Sequence, residues 1–478
     1  MDARRRGHSR LSACGLLLLL AVAAWLPTPV LADGPSGNTL TRPGDLRYRP
    51  SRHPDRIVLL PGGDAAREVA INWRTGSAVK NAVLQWTRSL DTPGLHLSAE
   101  TATGATDPLT TRNGRAHHHS VRLRGLEPDT MYAYRVRGEG TWSEWLQFRT
   151  AAAEFRPFSF LYFGDAQNAV RSHFSRVIRG GFREAQGASL LMHAGDLVNQ
   201  RRGNHDDEWG EWFEAGGFIH GMVPTFPVAG NHEYVSRRTS SGSTYEVLGP
   251  HWPRQFSPPR NGPAGFEHTV YSVRYSGVLF VALDSLRALE EPGAAAIQAR
   301  WLDELLSRET HRWVIVSHHH PMFSVALGRD NPLLREHWLP VFERHGVDLV
   351  LQGHDHAYGR GHNVAQGNTA VGDRRGPVYV VSVAGPKQYI AAGNARAGLQ
   401  RVGEDMQLYQ VIHLEADRLR FESRTVTGRI YDAFDLEQLA DGSNRFVPRA
   451  AVDTAETRCR NPLQPRPTRC WEGTELVE

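Results

Sequence analysis

The stretch Ser189-Leu190-Leu191-Met192-His193-Ala194-Gly195-Asp196 is an apolar run that ends in glycine and aspartate. Such a run predicts a buried strand, with the aspartate standing at its carboxyl end. Open α/β sheets bind their ligands at this edge. Because Gly-Asp is also a common turn, the stretch decides the fold only together with other strand ends that carry the same chemistry.

Four further apolar runs end in polar residues of this kind. They end in Gly164-Asp165, Gly230-Asn231-His232-Glu233, Ser317-His318-His319-His320 and Gly353-His354-Asp355-His356. Between the runs, apolar residues such as Phe174, Val177 and Ile178 recur at helical spacing. The alternation predicts an α/β sandwich of mixed strands with helices on both faces. We expect long rim loops over residues 200–217 and 236–265.

The segment before residue 150 has a different pattern, in which apolar and polar residues alternate. Residues 69–75, 82–86, 120–123 and 132–136 are strand-like and are separated by turn signals. Short strands at regular spacing predict an all-β sandwich of about 100 residues. Within it, the run His117-His118-His119 cannot chelate one ion from a strand, because consecutive strand residues point to opposite faces. We expect this run in a loop or on an exposed face.

The first 32 residues have the features of a secretory signal peptide. A basic start is followed by an apolar run and by the cleavage site Val30-Leu31-Ala32; an uncleaved membrane anchor is the alternative. No later segment predicts a membrane span. The formal net charge of +4 comes without a strong basic run and does not argue for nucleic acid. We therefore expect a secreted or periplasmic protein.

The remaining chain predicts two domains and a tail. An extended segment over residues 33–54 precedes the β-sandwich at 55–152 and the α/β domain at 153–440, and residues 441–478 form a tail of little regular structure. After signal cleavage only Cys459 and Cys470 remain. In an exported protein an even pair indicates one disulfide, with two free thiols as the alternative.

The five strand ends together indicate a metal site. Carboxylate, imidazole and amide oxygen are suitable ligands for Zn, Mn or Fe. Asp196, at the centre of the series, could bind one cation with each oxygen, and two metal ions at such a site clamp a phosphate and activate water. Taken singly, each residue has a plain explanation as a turn or a hydrogen-bonded core histidine.

The five blocks in this order resemble the calcineurin-like metallophosphoesterases over roughly residues 55–435. The preceding module, with Leu126, Pro128, Tyr132 and Tyr134 in the spacing of a fibronectin type III domain, makes the chain similar to the purple acid phosphatase branch. The resemblance implies a four-layer α/β sandwich of mixed sheets flanked by helices, preceded by an all-β immunoglobulin or fibronectin III-like sandwich.

The resemblance also implies a ligand set for two divalent or trivalent ions of Fe, Zn or Mn. The first ion would be held by Asp165, Asp196 and His356, and the second by Asp196, Asn231, His319 and His354. His319 matches the family position because it lies three residues after Val316 and two before Pro321. His232 would not be a ligand; it would face the phosphate and protonate the leaving group.

Two positions depart from the purple acid phosphatase pattern. Asn199 stands where that branch has a tyrosine that binds ferric iron. Gln167 stands two residues after Asp165, where the branch usually has glycine and the wider superfamily has histidine. Either amide could give a neutral oxygen to the first metal. One anionic ligand is missing, so stable ferric iron is not expected there.

The resemblance implies an exported hydrolase of small phosphate monoesters, similar to acid phosphatases. A hydroxide held between the metals would attack phosphorus while His232 assists the leaving group. The first alternative is a phosphodiesterase acting on nucleotides or lipid headgroups, since rim loops set substrate choice. The second is a non-catalytic extracellular binding protein, against which the presence of all six implied ligands argues.

Overall fold

The structure is a computed structural model that describes residues 46–199, 205–308, 311–362, 372–374, 377–440, 443–449, 455–462 and 468–471. The predicted signal peptide and most of the extended segment lie outside the described residues. Among the described helices, none is long and apolar enough to cross a membrane.

The strands of the N-terminal domain form a β-sandwich. They are β1 (Asp55–Pro61), β2 (Glu68–Gly76), β3 (Ala82–Arg88), β4 (Glu100–Thr111), β5 (Gly114–Arg124), β6 (Met131–Val136) and β7 (Leu146–Arg149). Their order is β1-β2-β5-β4-β3-β6-β7. Strand β4 joins the two halves, since its first residues pair with β3 and its later residues with β5. The core between them contains Trp73, Leu84, Tyr134 and Phe148.

The prediction for His117-His118-His119 was wrong, because all three lie in β5 and are buried. The His117 ring lies 2.6 Å from the Val79 carbonyl oxygen. His119 stacks on Trp73 and contacts two threonine hydroxyls. Polar side chains can enter a core where hydrogen bonds satisfy their ring nitrogens, as at His117 and His119. No local pattern in the sequence predicts those partners.

The later strands follow in chain order. They are β8 (Phe158–Phe163), β9 (Ala188–His193), β10 (Thr225–Pro227), β11 (Tyr234–Arg238), β12 (Thr244–Leu248), β13 (Tyr271–Tyr275), β14 (Val278–Ala282), β15 (Trp313–Ser317), β16 (Leu349–Gln352), β17 (Tyr358–His362), β18 (Gly372–Arg374), β19 (Val378–Val381), β20 (Gln388–Tyr389), β21 (Arg401–Gly403), β22 (Leu408–Leu414), β23 (Arg418–Thr425), β24 (Ile430–Gln438), β25 (Asn444–Pro448) and β26 (Arg469–Trp471).

The α-helices lie between these strands. They are α1 (Val170–Glu184), α2 (His205–Gly216), α3 (Phe218–Met222), α4 (Trp252–Gln255), α5 (Ser285–Glu290), α6 (Ala294–Arg308), α7 (Pro332–His337), α8 (Leu339–Arg344) and α9 (Gly393–Gly398).

Two mixed sheets face each other across an apolar core. One has the order β10-β9-β8-β22-β23-β24-β25-β18 and the other the order β13-β14-β15-β16-β19-β17-β21. Phe160, Phe280, Leu351 and Phe421 lie in the core between them. Helices α1 to α3 pack on the outer face of the first sheet and α6 to α8 on that of the second. The four-layer α/β sandwich is therefore confirmed.

Three predicted irregular regions contain regular structure. Residues 200–217 include helix α2, which is buried on almost every side, so no amphipathic stripe marks it in the sequence. Residues 236–265 include most of the β11–β12 ribbon and helix α4. The tail supplies β25 to the first sheet and β26, which pairs with β20. It also contains a disulfide between Cys459 and Cys470.

Candidate metal centre

The five polar strand ends meet at one edge of the two sheets. Asp165 follows β8, Asp196 follows β9, and Asn231 begins a single 3₁₀ turn after β10. His319 follows β15, and His354 and His356 follow β16. Strands β8, β9 and β10 run parallel, as do β15 and β16, so their carboxyl ends lie together.

Glycines in these blocks allow the loops to approach closely. At Gly195 φ is +89°, and a Cβ would lie 2.6 Å from His319 Nδ1. A Cβ on Gly353 would lie 2.3 Å from Asp165 Oδ1. No side chain fits at either distance, so the glycines that precede Asp196 and His354 are required by the convergence of the site.

The first group of ligand atoms comes from Asp165, Asp196 and His356, which are buried and close enough to hold one ion. His356 Nε2 lies 3.2 Å from Asp165 Oδ2. The Gln167 amide is placed between them, with Nε2 2.7 Å from Asp196 Oδ2 and 3.1 Å from His356 Nε2.

The second group comes from Asp196, His319 and His354, which also lie close enough for one ion. Asn231 joins them, with Oδ1 3.1 Å from His319 Nε2 and 3.0 Å from His354 Nδ1. Asp196 is common to both groups.

Hydrogen bonds on the far side of two imidazoles show that the donor set fits metal ions. His319 Nδ1 lies 2.8 Å from the Ala194 carbonyl oxygen, and His356 Nδ1 lies 3.0 Å from that of Lys387. A nitrogen that donates to a carbonyl leaves the lone pair on the other nitrogen. In both residues this Nε2 lies 3.2 Å from a carboxylate oxygen. A lone pair facing a carboxylate requires a positive charge between them, and a metal ion bound to both groups would supply it.

The electrostatics of the site point the same way. Burial raises the pKa of Asp165 to about 7. Burial lowers the pKa of His319, but the Asp196 and Asp165 charges outweigh it and raise that pKa to about 9. The carboxylates therefore need positive charge, which comes either from a proton on His319 or from a cation.

His232 lies at the opening of this centre. Its side chain is 19% exposed, and its Nε2 lies 3.9 Å from Asp196 Oδ2. Its Nδ1 lies 2.5 Å from the carbonyl oxygen of Asn199. The backbone N–H of Asn199 donates a hydrogen bond to the Glu208 carboxylate of helix α2 at 2.6 Å. The ring is thus held by one nitrogen, while the other faces the site.

Comparison with known families identifies both parts of the chain. The model of the purple acid phosphatase N-terminal domain matches residues 54–150, and that of the calcineurin-like phosphoesterases matches residues 158–358. The chain therefore contains a calcineurin-like phosphoesterase domain over residues 158–358. Its N-terminal domain is similar to that of the purple acid phosphatases.

Individual relatives of this chain are distant in sequence. A purple acid phosphatase of Glycine max is 27% identical over 399 residues, which cover 76% of this chain and 82% of the relative. The Fe(3+)-Zn(2+) purple acid phosphatase 12 of Arabidopsis thaliana is 24% identical over 68% of this chain and 71% of its own length. An uncharacterized protein of Mycobacterium tuberculosis is 27% identical over 63% of this chain, which spans only 61% of that protein.

Solved structures share the fold. The purple acid phosphatase PPD1 from yellow lupin has a TM-score of 0.65 at 19% identity and covers 80% of this chain and 74% of its own. The structure of PhoD has a TM-score of 0.60 at 12% identity, over 85% of this chain and 94% of its own.

The structure brings together every site residue predicted from the sequence, although the ligand roles stay predictions. The neighbours of His319 do not join the ligand groups. His318 packs on Trp338, and the His320 ring lies 4.2 Å from that of His354. Of the two amides considered for the first metal, Gln167 lies in the site and its Oε1 is buried without a partner. Asn199 contributes its backbone.

Sequence reasoning missed the part played by Glu233. This buried carboxylate accepts backbone N–H groups of Asp196, Leu197 and Gly230 at 2.7–2.9 Å. It thereby fixes the loops that carry Asp196 and Asn231. Its position at the end of the Gly-Asn-His-Glu block was the only signal.

Proposed function

We propose that this phosphoesterase is an exported, binuclear-metal hydrolase of small phosphate monoesters. The observation that carries the proposal is that Asp196 belongs to two adjacent ligand groups, each able to hold one ion. A carboxylate shared in this way suits a two-metal site. The relatives named as phosphatases, in soybean and Arabidopsis, support monoesters as substrates.

The metals we propose are two ions from among Fe, Zn and Mn. Asp165, Asp196 and His356 would hold the first, with Gln167 adjacent, and a second set would hold the other: Asp196, Asn231, His319 and His354. The Arabidopsis relative is named for an Fe(3+)-Zn(2+) pair. Since Asn199 offers no phenolate, we propose a divalent ion in the first position here.

When bound, the metal pair would supply Lewis-acid stabilisation and an acidified water. The protein itself supplies the proton for the leaving group. Because Nδ1 of His232 is hydrogen-bonded to the backbone carbonyl of Asn199, Nε2 is the nitrogen that faces the oxygen of the leaving group. Glu233 holds the Asp196 and Asn231 loops in place while this occurs.

Export rests on the predicted signal peptide of residues 1–32. The Cys459–Cys470 disulfide supports it, because disulfides persist in oxidising compartments. Secretion of a tagged full-length chain, with the amino terminus of the mature protein beginning at residue 33, is the measurement that checks this part.

Leaving-group dependence tests the reaction. His232→Ala should lose most of the roughly 10²–10⁴-fold that general acid catalysis contributes when an alkyl phosphate is hydrolysed. It should lose much less on p-nitrophenyl phosphate, whose leaving group needs no proton. The measurement is kcat/KM on both substrates with metal analysis, and His96→Ala, which removes an exposed histidine of the β-sandwich, is the control.

Three results would contradict parts of this proposal. Equal losses on both substrates with metals retained would mean that His232 positions the phosphate and protonates nothing. Loss of a metal would make His232 a ligand. A metal-loaded wild-type protein that hydrolyses neither ester would refute the proposed function.

A further inference from the structure

A group of positive side chains surrounds Tyr389, next to the candidate metal centre. The Tyr389 ring centre lies 4.7 Å from that of His356, and its amide donates to the His356 carbonyl. Arg329, Lys387 and Arg469 place their cationic groups 4.9, 5.6 and 5.0 Å from the same ring centre. These three are called the Tyr389 cations below.

Arg469 reaches this position from the far end of the chain. Strand β26 pairs with β20 so that Arg469 lies opposite Tyr389. The following residue, Cys470, is bonded to Cys459, whose amide donates to the buried Glu404 at 2.8 Å. Sheet pairing and a covalent bond therefore hold Arg469 beside the site.

The Tyr389 cations differ in what balances their charge. Arg329 forms an ion pair with the buried Asp355 at 3.0 Å and donates to the His354 carbonyl, so it has a structural use. Among the described residues, no carboxylate forms an ion pair with the ammonium of Lys387.

We propose that Lys387 and Arg469 bind a second phosphate group of the substrate, while the first phosphate lies at the metal centre. This inference rests on the proposed function and specifies its substrates as small molecules with two phosphate groups. Both cationic groups lie within 5.6 Å of the Tyr389 ring centre, and a phosphate dianion that reaches both can accept a charge-assisted hydrogen bond from each. One such bond contributes roughly tenfold or more to affinity.

Matched alkyl phosphates test the proposal. The substrates are straight-chain alkanediol monophosphates and bisphosphates with three to six carbons, so that the series covers a range of spacings between the two phosphates. The measurement is the ratio of kcat/KM for the bisphosphate to kcat/KM for the monophosphate. The ratio is divided by two because the bisphosphate offers two equivalent phosphates for hydrolysis. The wild type should give a ratio well above one for at least one chain length.

Two variants and a control make the test specific. Arg469→Gln and Lys387→Gln should each lower that ratio about tenfold, and Arg460→Gln should leave it unchanged. Arg460 is an exposed residue of the segment that also carries Cys459, so its variant removes the same charge from the tail. Lys387→Gln keeps the backbone carbonyl of residue 387, which is the group that holds His356 Nδ1. Thermal melting of each variant shows that the fold is intact.

The outcomes separate this inference from the function on which it rests. A wild type that hydrolyses monophosphates with a ratio near one at every chain length would overturn the inference alone. Bisphosphate-to-monophosphate ratios that are the same in Arg469→Gln and Lys387→Gln as in the wild type would also overturn the inference alone. A wild type that hydrolyses neither series would overturn the proposed function and this inference together.

Discussion

Asp206, in the first turn of α2, joins that helix to the β-sandwich through buried charges. Its Oδ1 accepts hydrogen bonds from Arg56 at 2.8 Å and from His251 at 3.0 Å, and its Oδ2 lies 3.3 Å from Arg74 Nη1. The side chains of Asp206 and Arg56 are only 2% and 3% exposed. Arg74 has a second carboxylate partner in Asp55, but Arg56 has no other ion pair among the described residues.

We expect Asp206→Asn to lower the free energy of unfolding by about 3–5 kcal/mol. The substitution keeps the shape of the side chain but leaves the Arg56 guanidinium buried without a counter-charge, and breaking a buried pair in this way has roughly that cost. For a cooperative unit of this size the melting temperature should fall on the order of 5–10 °C. The same charges hold the pKa of Asp206 well below its usual range despite burial, so this contribution is present above about pH 4 and is lost as the pH falls further.

Urea and thermal unfolding at pH 7 measure the effect. Asp303→Asn is the matched control, because Asp303 pairs with Arg344 at the surface, where water and salt screen the ion pair. The double variant Arg56→Met with Asp206→Leu should be less destabilised than Asp206→Asn, since it buries no unpaired charge. A loss below 1 kcal/mol for Asp206→Asn, or a double variant that is worse than the single one, would refute the reasoning.

Three further predictions concern the metal centre and the pH range. Asp196→Asn should lose both metals and activity together, so a purified variant with two metals per chain and near-normal turnover would contradict the shared-ligand role. The iron-loaded protein should show no intense visible charge-transfer band, because Asn199 supplies no phenolate. A band that disappears when a tyrosine elsewhere in the chain is replaced would prove the ligand set wrong. Burial lowers the pKa of His220 to about 4, so on acidification the His220 imidazole is protonated in the unfolded chain before it is protonated in the folded chain. About 3 kcal/mol of stability should therefore be lost between pH 6.5 and pH 4. His220→Phe should flatten that part of the stability–pH curve measured by urea unfolding, and an unchanged curve would show that another group is responsible.

The site was predictable because its chemistry lies in short blocks at strand ends. Asp165, Asp196 and His354 each follow a glycine that the close approach of the loops requires, so spacing and composition carried the signal. The sheets were predictable for a related reason, since continuous apolar runs such as Val278–Ala282 have no stable place except between two layers.

The parts that were missed depend on partners that are distant in sequence. Helix α2 shows no amphipathic stripe because the β-sandwich covers the face that would otherwise meet solvent. His119 is polar in the sequence but is buried against Trp73, with Thr75 and Thr106 as its hydrogen-bond partners. No local pattern reports such contacts, because they exist only after the chain has folded.

Helix α2 also connects the β-sandwich with the reaction we propose. Two of the three acidic side chains in its first turn have different partners. Asp206 binds the arginines of the β-sandwich, and Glu208 accepts a hydrogen bond from the backbone N–H of Asn199. The carbonyl of Asn199 in turn fixes the His232 ring. A buried carboxylate with charged partners holds its helix more firmly than apolar contact alone, because hydrogen bonds of defined direction allow one orientation. We infer that the β-sandwich, which contributes no metal ligand among the described residues, supports the proposed reaction by fixing the helix on which the position of His232 depends.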